Sequence, residues 1–437
     1  MIKRENNDSV NAFIETIPEE KECECCGAKL VNNGHGRTKV ITHSLLVQHR
    51  CQIHWTPQRM ICTDPTCHTS VTERNPFTFP GFSISYSTIH QTMLDLKKEN
   101  MSYKDISERN DISVSQVIRY FDSYVHAPRP LHLPENLGID EIHSHMAKYG
   151  SSYLCVLVDN DRREIFDILP SRSKSELIKY FERFSPEERL RVRYVTIDMW
   201  EAYRDVAHRM FKNCEVAVDP FHVVEHLTND FKTLRISVMR SVEYGSPSYY
   251  LLKKWNWLLT KRDIDFDNEK VFNHVFRRYM NRRDILDEIL AINDDLAVAY
   301  NLMKLYQDFN HDCPPEEAES QMEMIIESFS AAEIPVYREF INMILNWKTE
   351  IINSFHRPTG RKQSNSLTEN TNQRIRTYLA VSKGNTNFER FRRRILYCLN
   401  DHVFYSSTQF LTTLKRKGKK RGPYKKKNDD IDNANED

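Results

Sequence analysis

Six of the ten cysteines in this 437-residue chain fall between residues 23 and 67. Two of them form a pair with two intervening residues, Cys23 and Cys26, and two more a pair with four, Cys62 and Cys67. Zinc takes four tetrahedral soft ligands, and close pairs on two turns supply them at little loop-closure cost. The surrounding EKECECCGAKL is too polar to be a nest of core thiols. Cys23, Cys26, Cys62 and Cys67 are therefore expected to hold a structural Zn2+. Cys25 and Cys51 are spare, and His68 is a possible substitute ligand. Residues 23–80 read as a zinc ribbon, with 27–61 as its hairpin. Cys155, Cys214, Cys313 and Cys398 are isolated and suit a core.

A second chemistry rests on carboxylates. Asp140 lies within a strand-like run, GIDEIHS, and Asp198 ends another, RVRYVTID. Glu369 opens a helical block in QSNSLTENTNQRIR. If the two strands are neighbours and the helix crosses them, the three side chains meet. Such a set can hold two divalent metals roughly 3.5–4 Å apart and activate a water or a 3′-hydroxyl. Mg2+ suits it, because Mg2+ takes few carboxylates and completes its shell with phosphate oxygens. The competing readings are caps: Asp198 before the next helix, and Glu369 in a capping box with Ser366. Asp219 reads best as a cap, since Pro220 follows at the first helical position.

The elements that would position these groups follow from periodicity. Strands are expected at 137–145, 152–159, 163–169, 191–198 and 215–219, with helices at 174–184 and 200–211. The first three strands should be antiparallel and the later two parallel, in a mixed sheet over 137–219. Residues 220–363 read as wholly helical, and a last helical block spans 364–405. PRPLHLPEN (128–136) reads as a linker, residues 1–22 as a disordered N-terminus, and 406–437 as a basic then acidic tail. The fold class is multidomain α/β.

Residues 85–127 hold a helix-turn-helix pattern. SYKDISERNDISVSQVIRYFDSY (102–124) divides around Asn110-Asp111, with Asn110 suited to the left-handed turn and Ser113 to the second N-cap. Ser115, Gln116 and Arg119 then point outward on a helix sized for a major groove.

Net charge is +1, with 40% hydrophobic and 28% charged residues, as in a soluble globular protein. The charge is uneven: 415–427 holds nine Lys/Arg in thirteen positions, and FERFRRRIL (388–396) and FRRYMNRRD (276–284) add clusters. Such stripes suit phosphate contacts. No apolar run reaches the roughly 18 residues of a membrane span, and MIKRENNDSVNAF has no secretory apolar segment. A reducing, cytoplasmic setting is expected.

Four stretches in order, GIDEIHS, VTIDMWEAY, VDPFHVV and SNSLTEN ahead of NFERFRRRIL, give the chain its family likeness. It resembles the DDE transposases of bacterial insertion sequences, in the ISL-three group. That resemblance implies a ribonuclease-H-like core with two Mg2+ (or Mn2+) ions on Asp140, Asp198 and Glu369. It assigns Asp219 and His222 a supporting role and makes 220–363 a helical insertion. Asn370 stands where the family usually has Gly after its glutamate, and AVSKGNTNF (380–388) replaces its aromatic-Gly segment. The implied activity is metal-dependent cleavage and strand transfer at the inverted repeats of a mobile element. The implied assembly is at least a homodimer on DNA, associated with the nucleoid. A non-catalytic DNA-binding regulator or an inactive copy is the alternative reading.

Overall fold

The computed structural model describes residues 2–5, 9–16, 21–46, 49–356, 360 and 366–406. The basic run 415–427 lies outside them. Seven short strands come first: β1 (Ile2–Glu5), β2 (Ser9–Glu15), β3 (Leu30–His35), β4 (Lys39–Leu46), β5 (His49–Thr56), β6 (Gln58–Cys62) and β7 (Ser70–Thr72). They form two sheets, ordered β1-β2-β5-β4 and β3-β6-β7. The expected disorder of residues 1–22 is thus corrected over 9–15. Val10, Ala12 and Ile14 recur with the period of a strand, and β2 pairs in parallel with β5 from Ser9↔Arg50 to Glu15↔Thr56. Ala12 and Ile14 pack against Ile41, Ile53 and Trp55. The expected ribbon hairpin is corrected too. β4 and β5 pair antiparallel in the first sheet, while the clustered cysteines lie before β3, at the end of β6 and between β6 and β7.

Three helices follow, α1 (Tyr86–Leu96), α2 (Tyr103–Asn110) and α3 (Val114–Tyr124). Ser102 and Asp105 form a reciprocal capping box on α2, and Ser113 caps α3. The left-handed residue of the turn is Asp111 (φ 51°), one position later than expected. Asn110 instead stays helical and buried, its amide donating to Asp95 and to the Ile106 carbonyl.

The central sheet uses β8 (Asn136–His143), β9 (Tyr153–Asp159) and β10 (Glu164–Leu169). Next come α4 (Lys174–Phe181), α5 (Pro186–Leu190), β11 (Tyr194–Ile197), α6 (Glu201–Met210) and β12 (Glu215–Val218). The strand order is β10-β9-β8-β11-β12. β8 pairs antiparallel with β9, and β9 with β10; β11 lies parallel to both β8 and β12. The mixed sheet expected from periodicity is present.

Strand alternation sends the two faces to different partners. Leu137, Ile139, Cys155 and Leu157 face the cluster that includes α4, α6 and the later helices. Ile142, Leu154, Val156 and Val158 face a cluster shared with α1, α2 and α3. The helix-turn-helix is therefore packed into one face of the sheet.

The stretch 220–353 holds α7 (Pro220–Ser241), α8 (Pro247–Lys254), α9 (Asn256–Thr260), the strands β13 (Val271–Asn273) and β14 (Arg278–Met280), α10 (Arg282–Leu290), α11 (Asp294–Asp312), α12 (Ala318–Ala331) and α13 (Arg338–Asn353). The wholly helical expectation is corrected by the β13–β14 hairpin. Its strands are three residues each, too short for alternation to show. Finally α14 (Ser366–Val381) and α15 (Phe388–Leu399) return to the sheet. Among the described residues no helix is long and apolar enough to cross a membrane.

Candidate metal centres

Asp140 sits on β8 and Asp198 directly follows β11, its parallel neighbour. One carboxylate oxygen each from Asp140, Glu141 and Asp198 lies within 4.8 Å of the others. Glu141 was not anticipated. In a regular strand it points away from the face that Asp140 serves, and Leu137 and Ile139 on its side pack toward α4 and α6. It reaches the group because β11 stops at Ile197 and opens the sheet there. Two groups hold it: the Tyr203 hydroxyl donates to its Oε2 at 2.8 Å, and Arg172 pairs with its Oε1. The Arg172 guanidinium lies over the rings of Tyr153 (4.0 Å) and Trp200 (4.5 Å), which fixes its direction.

Asp140 is held from both sides. Its Oδ1 accepts from the Glu141 amide at 2.7 Å, and its Oδ2 accepts from the Asn372 side chain on α14 at 2.9 Å. Asp198 accepts from the Trp200 amide at 3.2 Å, yet the N-cap of α6 is Trp200, with no side-chain cap bond. Asp198 does not serve as the α6 N-cap. Asp219 does serve as the cap of α7, accepting from the Phe221 amide at 3.3 Å with Pro220 behind it.

Burial raises the Asp140 carboxyl to about 6 from its ordinary 3.8. Burial, then the charges of Glu141 and Asp140, raise Asp198 to about 7. His222, in the first turn of α7, works against both shifts. A crowded set of hard oxygen donors that resists ionisation is suited to a divalent cation.

The cysteine group is also assembled. Cys23, Cys26, Cys62 and Cys67 offer sulfurs within 4.8 Å of one another, with Cys23–Cys67 at 3.7 Å and Cys26–Cys62 at 3.3 Å. Each pair ends in a left-handed residue, Gly27 (φ 73°) and His68 (φ 46°). That turn aims backbone amides at sulfur: the Cys25 amide above all lowers the Cys23 thiol to about 6. Four soft donors at this spacing fit Zn2+. Cys25 is exposed and Cys51 lies buried in β5, outside the group.

A family model described as a transposase, of the DDE type and ISL3 group, matches residues 137–395, more than half of the chain. The chain belongs to this family. The transposase for insertion sequence element IS1001 of Bordetella parapertussis is 27% identical over 169 residues, a match covering 38% of this chain and 38% of that relative.

Within this chain, Glu369 stands apart from the three-carboxylate group. It lies exposed in the first turn of α14. Asn372, one turn further along, is the residue that touches Asp140, so the helix brings Glu369 to the same end of the sheet. The Ser366 side chain, its supposed capping partner, lies outside the described residues. On α3, Ser115 and Arg119 are exposed and Gln116 is half-buried, accepting from Arg119.

The basic cluster 388–396 does not present a phosphate-binding face. Arg392 and Arg394 are fully buried, and Arg390 and Arg393 both turn onto Asp122 of α3. In the cluster 276–284, Arg278 pairs with Glu288 and Arg283 with Asp267.

Proposed function

We propose that this chain is a DNA transposase that cuts the ends of an insertion sequence and joins them to target DNA. The observation that carries the reading is the convergence of Asp140, within β8, and Asp198, at the end of its parallel neighbour β11. The strand order, with three antiparallel strands followed by two parallel ones, supports a ribonuclease-H-like core.

In this reading Asp140 and Asp198, with Glu369 from α14, would hold two Mg2+ ions, for which Mn2+ would substitute. Such cations would generate the nucleophile and offset charge on the leaving oxygen. The chain's own part is orientation. Asn372 and the Glu141 amide fix the two oxygens of Asp140. Arg172 and Tyr203 restrain Glu141, and His222, beyond the Asp219 cap, favours the ionised carboxylates. Water attacks the phosphorus at the element end and the 3′-oxygen leaves as a hydroxyl. That hydroxyl then attacks a target phosphorus, displacing a second 3′-oxygen. Both steps are in-line transfers that one site can serve.

The four-cysteine unit with its Zn2+, and α3 with Ser115, Gln116 and Arg119, would read the terminal inverted repeats. Two ends cut together call for a homodimer or larger assembly on DNA, in the cytoplasm at the nucleoid.

Strand transfer tests the reading. Protein, Mg2+, a labelled duplex carrying the end beside its own gene, and a supercoiled plasmid are incubated together. Labelled plasmid is expected. Cutting without joining would make the protein a nuclease, and binding without cutting would make it a regulator.

A further inference from the structure

The four arginines of α15 all run to the helix-turn-helix or its junction with the sheet. The Arg390 Nη2 donates to Asp122 on α3 at 2.7 Å, and Arg393 pairs with the other oxygen of Asp122 while donating to the Val125 carbonyl at 3.3 Å. Arg392 pairs with the fully buried Asp167 of β10 and donates to the Ala127 carbonyl at 2.8 Å. Arg394 donates to the Lys98 and Met101 carbonyls, between α1 and α2. α14 adds a second tie. Asn372 holds Asp140, and two residues later Arg374 pairs with Glu99 at 2.9 Å.

Covalent connection alone would not define this relation. The nine residues 128–136 can span roughly 30 Å when extended, while one base-pair step along DNA is about 3.4 Å. Bidentate arginine pairs are directional, and the two arginines on Asp122 are only partly exposed.

We infer that the Asp122–Arg390/Arg393 contact is a latch that fixes the spacing between the DNA sequence read by α3 and the phosphodiester cut at the carboxylates. Asp122 is then a positioning residue that sets cut-site precision. This rests on the proposed function, with α3 as the reader and the carboxylates as the cutter.

Mapping the cut at nucleotide resolution tests it, with wild type, Asp122→Asn, and a charge-swapped Asp122→Arg/Arg390→Gln/Arg393→Asp chain. The wild type is expected to cut one phosphodiester. Asp122→Asn should bind the end within about twofold, since the reading side chains are untouched, but spread its cuts over neighbouring positions. The swap should narrow them again. A single unshifted cut with Asp122→Asn overturns the latch. Joint loss of binding and cutting that the swap does not restore also overturns it, by making Asp122 a residue of the fold alone.

A wild type that cuts nothing speaks against the proposed function instead. The latch is then judged by the distance between nitroxides on genetically encoded side chains at Glu108 and Lys179. A narrow distribution that broadens in Asp122→Asn supports it; one equally narrow in both contradicts it.

Discussion

The Asn372 side-chain amide donates to the Oδ2 of Asp140 across 2.9 Å and also reaches the Glu141 carbonyl at 3.3 Å. This pair joins α14 to β8, elements 232 residues apart in sequence, at the point where the carboxylates gather. It makes Asn372 a support for Asp140. Asn372→Ala should lower cleavage by about 10- to 100-fold, the usual cost of losing a partner of a metal ligand. End binding should be unchanged in a gel-shift assay. Full cleavage by this variant would remove Asn372 from the site.

Glu369, one turn earlier, is expected to complete the metal set. Glu369→Gln keeps size and most hydrogen bonding, yet cleavage should fall by roughly a hundredfold or more. Binding to the end should persist. Unchanged cleavage would leave Glu369 as a helix-end residue, and Glu141 would become the third carboxylate to test.

The raised carboxyls give a pH signature. Asp140 near 6 and Asp198 near 7 lie above their ordinary 3.8. A carboxyl raised in the fold stabilises it below the unfolded value, and that contribution is lost as pH rises through the folded one. The metal-free protein should therefore melt at lower temperature at about pH 8 than at about pH 5, through these two groups. Mg2+ offsets the repulsion, so its stabilising shift should be larger at the higher pH. Equal Mg2+ shifts at both values would count against cation binding at this cluster.

The cysteine group predicts one zinc per chain. Metal analysis of purified wild type should return that stoichiometry, and Cys62→Ser/Cys67→Ser should lose it along with the order of β3, β6 and β7. A wild type that is folded and free of zinc would end the assignment.

Arg392 offers a stability test. Its guanidinium and the Asp167 carboxylate are both fully buried. Arg392→Met should cost about 3–5 kcal/mol in denaturant unfolding, the usual penalty for leaving a buried charge short of its partner. Arg129, which reaches Asp167 at 3.0 Å, places the effect toward the lower end. A cost near zero would mean that Arg129 and the Tyr180 hydroxyl, which donates to Asp167 at 2.7 Å, suffice.

The sheet was legible because its strands are apolar runs bounded by turns, and the cysteine set because its spacing is metal chemistry written in the sequence. Asp219 was legible as a cap because Pro220 stands beside it. Other features were hidden. Glu141 sits on the wrong parity of β8, and only the early stop of β11 brings it to Asp140 and Asp198. The arginines of α15 looked like a phosphate-binding stripe because their acidic partners, Asp122 and Asp167, lie 225 to 271 residues away. β2 was missed because its alternation of Val10, Ala12 and Ile14 is flanked by polar residues and completed only by β5. The left-handed turn fell on Asp111 because Asn110 found buried partners.

Asp140 and Asp198 are the proposed reacting centre. The most direct measurement is cleavage of a labelled duplex bearing the element end, in Mg2+, by wild type and Asp198→Asn side by side. A nick at the element boundary with wild type alone is the expected result. Binding by both proteins with no nick from either, in Mg2+ or Mn2+, would contradict it.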